Sequence, residues 1–185
     1  IVNGNTVAVS NADGSILTGT FGPRVHHGDD FNDDHRADVA VFRPSEGNWY
    51  IEDSATHEIE VEHFGHPEDR IQPGDFDADG FADVAVFRPS TGTWYVMQST
   101  TNTLRAVQFG ITTDQPVAAD YDGDGQVDVA VFRPSNGVWY ISLSATNALR
   151  AQQFGQNGDR PVPADFDGDG TPEIMKGVVA REIFG

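Results

Sequence analysis

The chain has no cysteine. That removes disulfides, thiolate metal sites and thiol nucleophiles together. It also has no apolar run approaching the roughly 20 residues that a membrane-spanning helix needs. Basic residues are scarce: 11 Lys and Arg stand against 29 Asp and Glu, and the formal charge is −18. A field of that sign repels phosphate backbones and anionic lipid, so neither nucleic acid nor a membrane is expected as a partner. No segment of helical length carries a 3.6-residue apolar period. Catalytic signatures are lacking too. Ser and His occur without a nucleophile motif, no Gly-rich phosphate loop is present, and the expectation is a protein that is not an enzyme. The opening IVNGNTVAVS has neither an initiator Met nor a signal peptide. It reads as a processed or trimmed start, which would put any export signal out of view.

What the sequence does have is a repeat. Trp49, Trp94 and Trp139 lie 45 residues apart, as do Arg43, Arg88 and Arg133. DVAVFRPS occurs unchanged at 38–45, 83–90 and 128–135, and Phe-Gly closes each unit at 64–65, 109–110 and 154–155, with an earlier copy at 21–22. Within the third unit, QPVAAD, DVAVFR, VWYISLS and ALRAQQFG read as four short strands separated by an acidic loop and by turn residues such as Pro-Ser-Asn-Gly. Both faces of VAVF are apolar, so this strand is expected to be covered on both sides. Four strands in 45 residues, repeated, predict an all-β chain built as a β-propeller of four-stranded blades.

The expected blades are 23–65, 68–110 and 113–155. The ends supply two complementary halves: 158–185 resembles the start of a unit and 1–22 the end of one, with Gly4-Asn5-Thr6-Val7 aligned to Gly47-Asn48-Trp49-Tyr50 at an offset of 43. Together they predict a fourth blade completed within the chain, which removes open sheet edges. The same split blade completed by a neighbouring molecule would give a dimer or filament instead.

Acidic loops open each unit, at Asp30, Asp75, Asp120 and Asp165. Carboxylates about 4 Å apart repel by roughly 4 kcal/mol per pair at an effective dielectric near 20, so such crowding calls for a cation among them. The pattern is D-x-D-x-D-G-x-x-D. Side chains at positions 1, 3 and 5, the backbone carbonyl of 7 and a carboxylate at 9 supply the six or seven oxygens that Ca²⁺ prefers; Mg²⁺, with its tighter octahedron, ranks second. The absence of Cys, and of His at positions 1, 3, 5 and 9, argues against zinc. An EF-hand would need Glu at position 12, where the third loop has Val131 inside a strand.

This combination resembles the FG-GAP/VCBS repeat family, which includes the integrin α-subunit propellers; the literal Gly-Ala-Pro is replaced here by QPVAAD or RPVPAD. The resemblance implies a propeller with up to four Ca²⁺ ions held between the first and second strands of its blades. Carried over by position, the sites are Asp75, Asp77, Asp79, the Phe81 carbonyl and Asp83; Asp120, Asp122, Asp124, the Gln126 carbonyl and Asp128; and Asp165, Asp167, Asp169, the Thr171 carbonyl and Glu173. The loop of Asp30, Asn32, Asp34, the Arg36 carbonyl and Asp38 departs most, since Asn32 removes a charge and His35 replaces the turn glycine; it is expected to bind most weakly.

Other repeated residues carry two readings each. Trp49, Trp94 and Trp139, each followed by a Tyr, suit packing between blades or stacking on sugars. The three Arg residues suit a neighbouring carboxylate or carbonyl, or an acidic ligand. All six histidines fall between His26 and His66, as a solvated patch or a metal- or pH-sensitive one. The functional expectation is a secreted or cell-surface binding and adhesion module, with a glycan as the favoured ligand. The competing expectation is a structural subunit assembled through the split blade.

Overall fold

The computed structural model describes residues 6–10, 16–20, 29–32 and 34–174, the first two stretches as backbone alone. Among these residues there is no helix. A hairpin of β1 (Thr6–Ser10) and β2 (Ile16–Thr20) comes first, followed by a three-stranded sheet of β3 (Val39–Arg43), β4 (Asn48–Glu52) and β5 (Ile59–His63). Two four-stranded sheets follow. One contains β6 (Arg70–Ile71), β7 (Val84–Arg88), β8 (Thr93–Gln98) and β9 (Thr103–Gln108), the other β10 (Gln115–Pro116), β11 (Val129–Arg133), β12 (Val138–Ser142) and β13 (Leu149–Gln153). Within each sheet the strands pair antiparallel with their sequence neighbours.

The repeated residues explain the repeated sheet. Register sets Phe42 opposite Trp49, Phe87 opposite Trp94 and Phe132 opposite Trp139. Their tilted rings lie 5.6, 5.4 and 5.6 Å apart, inside the range where aromatic pairs add about 1 kcal/mol to simple burial. Each buried indole N–H donates to the carbonyl of the Phe that closes its unit: Trp49 to Phe64 at 2.8 Å, Trp94 to Phe109 at 2.9 Å and Trp139 to Phe154 at 2.8 Å. The glycine after that Phe has a steric role. A Cβ on Gly65, Gly110 or Gly155 would come within 2.7, 3.1 or 3.0 Å of the Phe42, Phe87 or Phe132 ring, and all three glycines have positive φ. The Trp residues are therefore packing residues, and their sugar-stacking reading falls away.

Sheet alternation lets one strand serve two cores. Ala85 and Phe87 of β7 face forward with Trp94 and Val96, and meet Val129 and Val131 of the next sheet. Val84 and Val86 face backward onto Trp49 and Ile51 of the preceding sheet. Beyond the last complete sheet, Ala130, Phe132, Trp139 and Ile141 pack with Val117, Tyr121 and Ile174. At roughly 25 cal/mol per Å² of apolar area, these shared cores are the main force holding sheet to sheet.

The first copy of VAVF departs from the expected two-sided cover. Val39 and Val41 are 62% and 55% exposed, whereas Val84 and Val86 are 4% and 1% exposed. Identical residues differ because no described segment packs on the backward face of the first sheet. At the other end, residues 158–174 carry no strand. Part of the expected fourth blade, at 1–5, 11–15, 21–22 and 175–185, lies outside the described residues, as do the Phe21-Gly22 copy and residues 23–28 of the expected first blade.

Candidate metal centre

The second and third acidic loops join the first strand of a sheet to its DVAVFR strand, and one hydrogen-bond scheme folds all four loops. The position-6 amide donates to Oδ2 of the position-1 Asp: His35 to Asp30 at 3.0 Å, Gly80 to Asp75 at 2.9 Å, Gly125 to Asp120 at 2.8 Å and Gly170 to Asp165 at 2.9 Å. The position-7 amide donates to the position-5 carboxylate, from Arg36 to Asp34, Phe81 to Asp79, Gln126 to Asp124 and Thr171 to Asp169, at 2.8, 2.7, 2.8 and 2.9 Å. The position-2 amide donates to position 9, from Phe31 to Asp38, Phe76 to Asp83, Tyr121 to Asp128 and Phe166 to Glu173, at 3.0, 2.9, 2.9 and 2.7 Å. Charge-assisted bonds of this kind hold each carboxylate in place.

These turns need left-handed backbone twice. Position 6 has φ of 99° at Gly80, 91° at Gly125 and 97° at Gly170, and His35 takes the same region at 64°. Histidine is among the side chains that tolerate it, so the first loop keeps its shape without glycine. Position 4 is left-handed as well, at Ala78, Gly123 and Gly168.

Three loops bring carboxylate oxygens within 4.8 Å of one another: Asp75, Asp77 and Asp83; Asp120, Asp122 and Asp128; and Asp165, Asp167, Asp169 and Glu173. Among the described residues the first loop, with Asn32, forms no such group of three acidic side chains. Asp79 and Asp124 stand outside their clusters. Asp79 Oδ2 accepts from the hydroxyls of Ser99, at 2.8 Å, and Thr100, and Asp124 Oδ2 from Ser144 at 3.0 Å. The Gln126 carbonyl lies 3.5 Å from the Ser144 hydroxyl.

Ser54, Ser99 and Ser144, again 45 apart, were not singled out by sequence reasoning. Their amides donate to Oδ1 of the position-9 Asp38, Asp83 and Asp128 at 2.9, 2.7 and 2.6 Å, tying the β4–β5, β8–β9 and β12–β13 turns to the loops. The period alone marks these serines.

The electrostatics are those of crowded, partly buried carboxylates. Asp83 and Asp128 are fully buried. Burial raises both carboxyls above the usual range, against the pull of the amides that donate to them. Burial, then the charges of Asp83, Asp79 and Asp75, push Asp77 up to about 6. Asp77 Oδ1 and Asp34 Oδ2 are buried with no hydrogen-bond partner. Oxygen-only donors with an orphaned carboxylate oxygen fit a hard divalent cation.

The other expected site residues have local partners. Arg88 and Arg133 make two-pronged ion pairs with the buried Asp69 and Asp114, with both bonds at 2.8 Å and both at 2.9 Å respectively. Each guanidinium also lies over a Tyr ring, Tyr95 or Tyr140. Arg43 pairs instead with exposed Glu46 at 3.0 Å. The linker from Gly22 to Asp30 is two residues shorter than that from Gly65 to Asp75, and His26 stands four residues after Gly22 where Asp69 stands four after Gly65. His57 contacts Glu52 at 2.9 Å and His63 contacts Asn48 at 2.7 Å, while His66 lies 3.9 Å from Glu68. No metal-holding group among the described residues includes a histidine. His26 and His27 lie outside the described residues.

Stacked antiparallel sheets, each entered through an oxygen-lined acidic loop, define a repeat protein whose site recurs with its fold. The chain belongs to the FG-GAP-like repeat family, whose model matches residues 75–131 and 120–175. Repeats of this family are typically extracellular binding or adhesion modules and are generally non-catalytic. No curated protein and no solved structure matches the chain. No helix among the described residues is long and apolar enough to cross a membrane.

Proposed function

We propose that this chain is a non-catalytic, calcium-binding β-propeller of four blades that serves outside the cell as a binding or adhesion module. The observation that carries the proposal is the buried, partnerless Asp77 Oδ1 among carboxylates already crowded together. A divalent ion there would satisfy the orphaned oxygen and offset the repulsion. Calcium near millimolar outside cells suits sites of modest affinity. A glycan remains the ligand class proposed from the family resemblance. With the Trp residues committed to packing, its contacts would come from exposed polar loops.

A second reading is architectural, and it turns on the backward face of the first sheet, which no described segment covers. Val39 and Val41 occupy positions that the preceding sheet covers in the other two units. The occupant is the fourth blade of the same chain in the first reading, and that of a neighbouring molecule in the second. Light scattering in millimolar calcium separates them. Closure within the chain gives the monomer mass of 20.0 kDa. Dimers or polymers would establish assembly, and a compact monomer indifferent to EDTA would remove the calcium claim.

A further inference from the structure

Adjacent acidic loops are joined by a hydrogen bond from backbone to backbone. The Ala82 amide donates to the Asp30 carbonyl at 2.6 Å, and 45 residues later the Val127 amide donates to the Asp75 carbonyl at 2.6 Å. Both ends of this bond lead to a cage. The peptide unit that carries the Val127 N–H also carries the position-7 carbonyl of Gln126. The peptide unit that accepts at Asp75 continues into the Phe76 N–H, which donates to Asp83 Oδ2 at 2.9 Å. A relay therefore runs from the ligand carbonyl of the third loop to the closing carboxylate of the second. The same relay runs from Phe81 through Ala82 and Asp30 to the Phe31 N–H and Asp38, where the last bond is 3.0 Å. The Gln126 side-chain amide adds a second tie, to the Phe76 carbonyl.

At the next junction the repeat places Pro172, which has no N–H to give. The loops still meet there, since a Cβ on Gly123 would lie 3.1 Å from the Thr171 methyl. Contact is kept and the relay is broken.

We propose that the peptides Phe81–Ala82 and Gln126–Val127 couple the first three loops so that they take up calcium as one cooperative unit, while Pro172 leaves the fourth loop independent. This rests on the calcium reading above. Filling one cage fixes its position-7 peptide, and that peptide fixes the position-1 and position-9 groups of the neighbour. The second ion then meets a loop already ordered, which is positive coupling through shared conformational entropy. Coupling of this kind between sites is typically about 5- to 150-fold in affinity.

The test is calcium titration of the full chain followed by ¹H–¹⁵N NMR, with the Gly80, Gly125 and Gly170 amides each reporting one loop. Asp120→Ala, which disables the third loop, should weaken the Gly80 midpoint about five-fold or more, whereas Asp165→Ala should leave Gly80 and Gly125 unchanged. Val127→Pro copies the fourth loop's own residue and removes no ligand, and should weaken the Gly80 midpoint as Asp120→Ala does. Should that variant fold poorly, Pro172→Val supplies the missing donor and should make the Gly125 midpoint sensitive to Asp165→Ala. Gly80 and Gly125 midpoints that stay within two-fold in all these backgrounds would overturn the coupling while leaving calcium binding intact. Amides that ignore calcium altogether would overturn both.

Discussion

Replacing Asp77 with Asn should change stability in opposite directions with and without calcium. Without the ion, Asp77 is a carboxyl raised from 3.8 to about 6 by burial and by Asp83, Asp79 and Asp75. At 1.36 kcal/mol per unit, a fully dry site would make that worth about 3 kcal/mol of strain at neutral pH. The loop is partly solvated, and screening brings the figure to about 1 kcal/mol. Asn removes the strain, so the calcium-free variant should be more stable by that amount. With calcium the sign reverses. Calcium sites range, according to ligand charge and rigidity, from about 10 μM at the weak end of sensor sites, taken here for the parent loop with its full set of carboxylates, to about 1 mM at the weak end of extracellular modules, taken for the variant. Moving from the first value to the second lowers the ion's contribution at about 1 mM calcium from roughly 2.7 to roughly 0.4 kcal/mol. The net effect is a loss of about 1 kcal/mol. A chain of this length should then melt about 3 °C higher than the parent in EDTA and about 3 °C lower in calcium. Circular dichroism melts of the two proteins under both conditions make the check. A shift of the same sign in both would refute the claim that Asp77 faces a cation.

The same carboxyl predicts a pH dependence. Its folded-state pKa is raised, so its contribution to calcium-free stability is present at low pH and is lost as pH rises through about 6; over that window calcium affinity should fall on acidification, as calorimetric titrations at pH 7 and 5 would record. Asp114→Ala strands the Arg133 guanidinium against a buried site and should cost about 3–5 kcal/mol in urea unfolding, whereas Glu46→Ala, which breaks the exposed pair to Arg43, should leave the unfolding midpoint nearly unchanged. Trp94→Ala empties a fully buried site between Phe76 and Phe87 and should cost about 3–5 kcal/mol, with its loss of stability independent of any added sugar. Gly110→Ala sets a methyl against the Phe87 ring at a φ of 130° and should cost about 2 kcal/mol by the same assay.

The period and the strand plan were legible because they are local. DVAVFR and its turn recur at fixed spacing, and the observed strands fall inside the segments read from the third unit. The positions of the carboxylates were legible for the same reason, since each loop folds on amides from its own residues. What escaped the sequence depends on contacts across the chain. Phe-Gly could be seen as a marker, but that its glycine lies beneath a Phe ring of the second strand needs the sheet to be folded. Ser99 and Ser144 look like turn residues until the β8–β9 and β12–β13 turns fold back over their loops. The exposure of β3, whose backward face no described segment covers, was invisible, because Val39 and Val84 sit in the same eight-residue string and differ only in what lies behind them. The two readings of Trp and of Arg were likewise separable only by burial and by partners, Phe109 for Trp94 and Asp69 for Arg88.

If the acidic loops hold calcium and calcium holds the fold, isothermal titration of the calcium-stripped chain, with melting followed on the same samples, should record uptake of several ions, up to four, and a melting temperature that climbs as they bind. No heat of binding up to millimolar calcium, with melting identical in EDTA, would mean that the loops are acidic turns and not calcium sites.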